Sequence, residues 1–113
     1  MARAPVRKLF GSERRTEVLL LIALLRETFP TEIARLLGAP VYSVQKIVGG
    51  LEKDGVVVTR LAKRTRVVAL DPGFAASRQL KNLLTRLIEV NPKIRSIAVR
   101  RRARQGRRGK AIT

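Results

Sequence analysis

The chain is 113 residues long and 45% hydrophobic, which suits one core with some trailing sequence, and a second domain is not expected. Its 25 lysines and arginines stand against 8 acids, a formal net charge of +17, which points to a polyanionic partner: nucleic acid or an anionic membrane surface. Cysteine and histidine are both absent, which excludes disulfides, thiolate and imidazole metal ligands, and every catalytic arrangement built on them.

Residues 1–10 form a basic N-terminal arm with Arg3, Arg7 and Lys8. In GSERRTEVLLLIALLRET, Ser12 is a good N-cap and Glu13 suits the positive helix N-terminus, so a helix is predicted from Glu13 to about Glu27. Val18 to Leu25 is an unbroken apolar run, too short to span a bilayer, which takes about 20 residues. It lies behind Glu13 and Glu17, too deep for a signal peptide, and a cytoplasmic protein is expected. Such a helix is apolar on every side. It is either central to its own small core or shared with a second subunit, in which case Leu21 and Leu25 belong to a dimer interface.

TFPTEIARLLGA predicts a short second helix, started by Pro30 and Thr31 and stopped by Gly38. After Gly38, Ala39 and Pro40 a third helix runs from Val41 to Asp54, with Gly55 placed to end it. Helix, three-residue turn with glycine, helix is the helix-turn-helix signature. Residues 56–70 then change period and read as a hairpin whose basic tip is Ala62-Lys63-Arg64. Folded symmetrically about Lys63, it would set Arg60 opposite Arg66, a repulsive pair that makes best sense around an anion.

Asp71-Pro72 predicts the start of a fourth helix, residues 72–90, with Ala76, Leu80, Leu83, Leu84, Leu87 and Ile88 at helical spacing. It packs on its own domain or pairs with its mate in a dimer through Leu80, Leu84 and Leu87. The domain is therefore expected to span residues 11–90. Residues 91–113 hold many arginines and no acid, and from about residue 99 they are expected to be disordered alone. Arg100, Arg101, Arg102, Arg104, Arg107 and Arg108 are candidate phosphate contacts.

On the third helix, Val44, Ile47, Val48 and Leu51 share one side, the core side. Tyr42, Gln45, Lys46, Gly49 and Lys53 share the other, and none is aliphatic. Such a strip at the N-terminal half of the second helix is where helix-turn-helix proteins touch base edges. Gln bonds adenine N6 and N7, Lys donates to guanine, and Tyr42 and Ser43 reach phosphate or a thymine methyl. One cation on the strip supplies little affinity, so Arg60, Lys63, Arg64, Arg66 and the tail are expected to meet the phosphates. Gly49 and Gly50 weaken the helix by about 1 kcal/mol each. Gly49 is expected to leave bare backbone on the outward strip, and Gly50 to permit a bend or close packing under the hairpin.

LFGSERRTEVLLLIALL, then EIARLLGAPVYSVQKIVGGLEKDGVV, the hairpin and a DPGF helix together resemble the winged helix-turn-helix transcription regulators, particularly the ArsR-like group, over residues 9–90. The resemblance implies a mainly α domain with a small β-hairpin (α+β): three helices, a wing and a C-terminal amphipathic helix. It makes Val41, Tyr42, Ser43, Gln45 and Lys46 the reading residues and Lys63, Arg64 and Arg66 the wing contacts, on double-stranded DNA, with the first and last helices commonly forming a homodimer. Pro40 stands where the family often has a Ser or Thr cap, and the family's Cys and His metal sensors have no counterpart here.

No nucleophile, metal or phosphate-loop motif is present, so neither an enzyme nor a cofactor or metal is expected, nor a membrane partner. The leading expectation is a dimeric, sequence-specific DNA-binding regulator. The alternatives are an architectural nucleic-acid protein driven by the tail, on DNA or RNA, and a DNA-binding adapter for another protein. Few aromatics, 4%, count against base-stacking RNA recognition.

Overall fold

Ser12 opens α1 (Glu13–Leu25) as its sequence predicts: its hydroxyl accepts the Arg15 N–H at 3.0 Å. The computed structural model describes the backbone of residues 8–112 and the side chains of residues 8–104, so Arg3, Arg7 and the side chains of Arg107 and Arg108 lie outside the described residues. The helix stops at Leu25 rather than near Glu27. Arg26 takes φ 69° and ψ −56°, and the Glu27 N–H donates to the Leu25 carbonyl at 2.8 Å, the geometry of a strained γ-turn. That turn sends Thr28 alongside the hairpin, where it exchanges backbone bonds of 3.0 and 2.7 Å with Val68.

Next, α2 (Pro30–Leu37) ends on Gly38 in the left-handed region (φ 66°), the conformation that favours glycine. Pro40 precedes α3 (Val41–Lys53) with φ −63°, and Gly55 (φ 77°) turns the chain out of it. Strands β1 (Val57–Ala62) and β2 (Thr65–Leu70) pair antiparallel from Val57↔Leu70 to Ala62↔Thr65. The tip is thus the two residues Lys63 and Arg64, with Lys63 at φ 59°. This differs by half a step from the predicted symmetry about Lys63: Arg66 faces Leu61, and Arg60 faces Val67. Adjacent strand residues point to opposite faces, so Arg60 and Arg66 are not a pair. With no glycine to mark the tip, burial decides the register, because this pairing turns Val57 and Val68 into the core together.

The chain enters α4 (Ser77–Val90) later than predicted. The Asp71 carboxylate accepts the Gly73 N–H at 2.8 Å instead of capping a helix, and Phe74 and Ser77 donate back to Asp71 and Phe74 carbonyls. The second correction is larger. Asn91 caps a fifth helix, α5 (Pro92–Ile112), by accepting the Ile94 N–H at 3.1 Å, where the sequence predicted a disordered tail. Ile94, Ile97 and Ala98, at i, i+3 and i+4, are buried, so the core extends past the expected boundary at residue 90. Once these turns are docked, alanine and arginine, both good helix formers, carry the helix on.

Among the described residues the domain is α+β: five helices and one two-stranded hairpin. Helix α1 is its axis, touched by α2, α3, α4, α5 and β2, and each side chain from Val18 to Ile22 is at most 1% exposed. Burying one such side chain stabilises by about 1.5–3 kcal/mol. The buried Glu17 carboxylate binds Lys93 Nζ at 3.6 Å and Arg14 at 3.4 Å, tying α5 to α1. This covering leaves little of the predicted interface exposed. Leu21 and Leu84 are fully buried within the chain, Leu25 and Leu87 nearly so, and of the five predicted leucines only Leu80 keeps appreciable exposed surface.

Candidate nucleic-acid interface

The outward side of α3 follows from its inward side. Val44, Val48 and Leu51 are buried and Ile47 half-buried, which leaves Val41, Tyr42, Gln45, Lys46 and Gly49 exposed and Ser43 half-buried at the edge. Two neighbouring strips result. Tyr42, Lys46 and Lys53 form the outer one, with the Lys46 ammonium 5.9 Å from the Tyr42 ring centroid, so the ring holds the cation near the helix surface. Gln45, Gly49 and Glu52 form the other and line a groove of about 560 Å³.

The opposite side of that groove is the hairpin tip, with Arg64, Thr65 and Arg66, and its end is the start of α2 at Pro30 and Thr31. Arg66 Nη1 donates to Thr59 Oγ1 at 3.0 Å, and Thr59 donates to Glu52 Oε2 at 2.6 Å. This relay holds the hairpin cation against α3. Lys63 is exposed beside the groove at the tip itself. Arg60 is not brought there: it lies on the other face of β1 and pairs with Glu27 at 3.0 Å, so its charge is already compensated.

Neither Glu52 nor Thr31 is among the interface residues that the sequence predicts. Glu52 follows Gln45 by seven residues and Gly49 by three, so the helical spacing that picked out the strip contains it. Thr31 had no such signal, because its place depends on how α2 meets the hairpin. The α5 arginines divide as well. Arg100, Arg101 and Arg104 share a cleft beside α2, while Arg101 and Arg102 border the surface shared with α4.

No protein-family model matches the chain, and no curated protein matches it. Among the described residues there is no group of three or more acidic side chains that could hold a metal ion, and no helix long and apolar enough to cross a membrane. What the groove offers is hydrogen-bonding groups and cations: the Gln45 amide and the Arg64 and Arg66 guanidiniums, with the Lys46 ammonium on the neighbouring strip.

The two glycines of α3 separate on contact. A Cβ at Gly49 would meet nothing within 4 Å, so this position is bare backbone on the groove side. A Cβ at Gly50 would stand 3.1 Å from Arg15 Nη1. The close packing expected at Gly50 is therefore against α1, not under the hairpin: Arg15 crosses the last turn of α3 to reach Asp54 at 2.7 Å. Gly49→Ala should raise stability by about 1 kcal/mol, the helix-propensity gain. Gly50→Ala should gain clearly less, because Arg15 must give way. Thermal melts compare them, and equal gains would sink this account of Gly50.

Proposed function

We propose that the chain is a sequence-specific, double-stranded DNA-binding transcriptional regulator of the winged helix-turn-helix kind, with α3 as the reading helix and the β1–β2 hairpin as the wing. The observation that carries this is the groove itself. It sets Gln45 and Gly49 of an exposed helix face against Arg64 and Arg66 of the hairpin, so base-edge donors and phosphate-binding cations open onto one surface. Gln45 and Lys46 are suited to adenine and guanine edges in the major groove, and Lys63, Arg64 and Arg66 to the flanking backbone or minor groove. Gly49 lets a duplex approach the helix backbone without a side chain between.

Pairing of two copies on an inverted repeat belongs to the same proposal. The contact would use the outer side of α4, where Leu83 and Val90 remain exposed next to Leu80, instead of the buried leucines. The experiment is selection of bound fragments from native genomic DNA, followed by footprinting. Two protected half-sites with centres about 34 Å apart are expected. A single short protected stretch would remove the pairing, and equal affinity for selected and random duplexes would remove sequence reading.

One observation favours a second reading, an architectural nucleic-acid protein. Among the described residues Arg100, Arg101, Arg102 and Arg104 form no ion pair, and together they are a concentrated cationic surface that reads no base. Loss of most binding on deleting residues 99–113, with no site preference in the intact chain, would favour it.

A further inference from the structure

A second basic cleft lies along α2, away from the reading groove, and encloses about 400 Å³. Arg35 of α2 stands on one side and Arg100, Arg101 and Arg104 of α5 on the other. The three α5 arginines follow Ile97 at i+3, i+4 and i+7, so the turn that anchors α5 in the core also aims them as a row at α2. Leu36 and Ile97 complete the lining with apolar surface.

Charge in this cleft is unbalanced. Its one acid, Glu32, accepts the Thr28 hydroxyl at 2.6 Å and stands 4.0 Å from Arg35 Nη2, so it offsets part of Arg35 at most. Arg100, Arg101 and Arg104 have no ion-pair partner among the described residues. Helix α2 is the common wall of both clefts. Its exposed Thr31 borders the reading groove and its exposed Arg35, four residues later, borders the α5 cleft, about 6 Å further along the helix.

Resting on the DNA-binding reading above, we infer that the α2–α5 cleft is a second phosphate-binding site, which holds the DNA backbone where it leaves the reading groove across α2. Guanidinium forks bind phosphate oxygens in pairs, and the apolar lining accommodates the sugar between them. In this arrangement α5 has two duties along its length: its first turns complete the core and its next turns clamp the strand.

The test is affinity for a selected duplex as a function of salt, using the full chain. Each phosphate contact contributes about 0.9 to the slope of log affinity against log salt. Arg35→Ala with Arg104→Ala should reduce the slope by about 1.8, so that the affinity lost between 50 and 200 mM salt shrinks by about 12-fold. Arg78→Ala with Arg95→Ala removes the same charge from exposed positions that do not line the cleft, and should change the slope by less than half as much. All four side chains are exposed, so melts should be unaffected, and Arg35→Lys with Arg104→Lys should restore most of the slope. Because the chain lacks cysteine, Ala103→Cys carrying an iron chelate offers a second readout, and backbone cleavage just outside the footprint is expected.

Equal slopes for the two alanine pairs, or cleavage confined to the centre of the footprint, would overturn the second site. Should Gln45→Ala erase site preference while the cleft pair behaves as the control pair, the inference alone falls. A reduced slope for the cleft pair with site preference indifferent to Gln45→Ala keeps the clamp and removes sequence reading, and absence of any duplex binding overturns both.

Discussion

Replacing Ile94 and Ile97 together by alanine is expected to leave the domain largely unfolded at ordinary temperature. Both side chains are at most 2% exposed, packed into the same cluster as α1. Removing a buried isoleucine down to alanine costs about 2–5 kcal/mol, because the lost burial and the cavity add. Two such losses approach the whole stability of a small domain, about 5–15 kcal/mol. Ile94→Ala alone should lower the urea midpoint in proportion to about 3 kcal/mol, within that range. Losses below about 1 kcal/mol each, the level of surface changes, would mean that α5 does not complete the core. Arg104→Ala, beyond the buried turns, should leave the midpoint where it is.

The second large effect is on binding. Lys63→Ala, Arg64→Ala and Arg66→Ala combined should reduce the salt slope by about 2.7, a change of about 40-fold in the affinity lost between 50 and 200 mM salt. Arg60→Ala should do little, although it carries the same charge on the same hairpin. Its guanidinium points from the other face and is bonded to Glu27, and an exposed pair of this kind contributes under about 1 kcal/mol to stability. Equal effects of Arg60 and Arg66 would place the nucleic acid on the wrong side of the hairpin. Retention of the full slope by the triple variant would take the hairpin out of the interface.

The elements that the sequence predicts well are those closed by local chemistry. The Ser12 hydroxyl, Gly38 and Gly55 act within one turn of their own helices, so the start of α1 and the stops of α2 and α3 follow from neighbours in the chain. The faces of α3 were legible for the same reason, since apolar spacing alone separates Val44, Val48 and Leu51 from Gln45 and Gly49. What escaped is what depends on distant partners. The hairpin register turns on burial of Val57 and Val68. The end of α1 turns on a backbone bridge from Thr28 to Val68.

The tail misled through composition. Arginines at half the positions from 95 to 108 hide an i, i+3, i+4 apolar triplet at its beginning, and three side chains are too few to register as periodicity. That triplet bears on the two readings of α1, because the all-round apolar helix needs a cover, and Ile94 and Ile97 supply part of it from within the chain. In the groove, Gln45, Arg64 and Arg66 were foreseen one by one. Their convergence was not, and neither was the Glu52–Thr59–Arg66 relay that holds the hairpin side in place.

The closing of the core by α5 has a consequence for synthesis. Helix α1 is made before its cover: the side chains that finish covering it, Ile94 and Ile97, follow its first residue by some eighty positions. At about 5–20 residues per second, the greasiest segment of the chain waits roughly 4–17 s for its last partner. During that interval the nascent protein carries an exposed stripe of leucines, which makes it a natural client for a chaperone and prone to clump when translation stalls before residue 94.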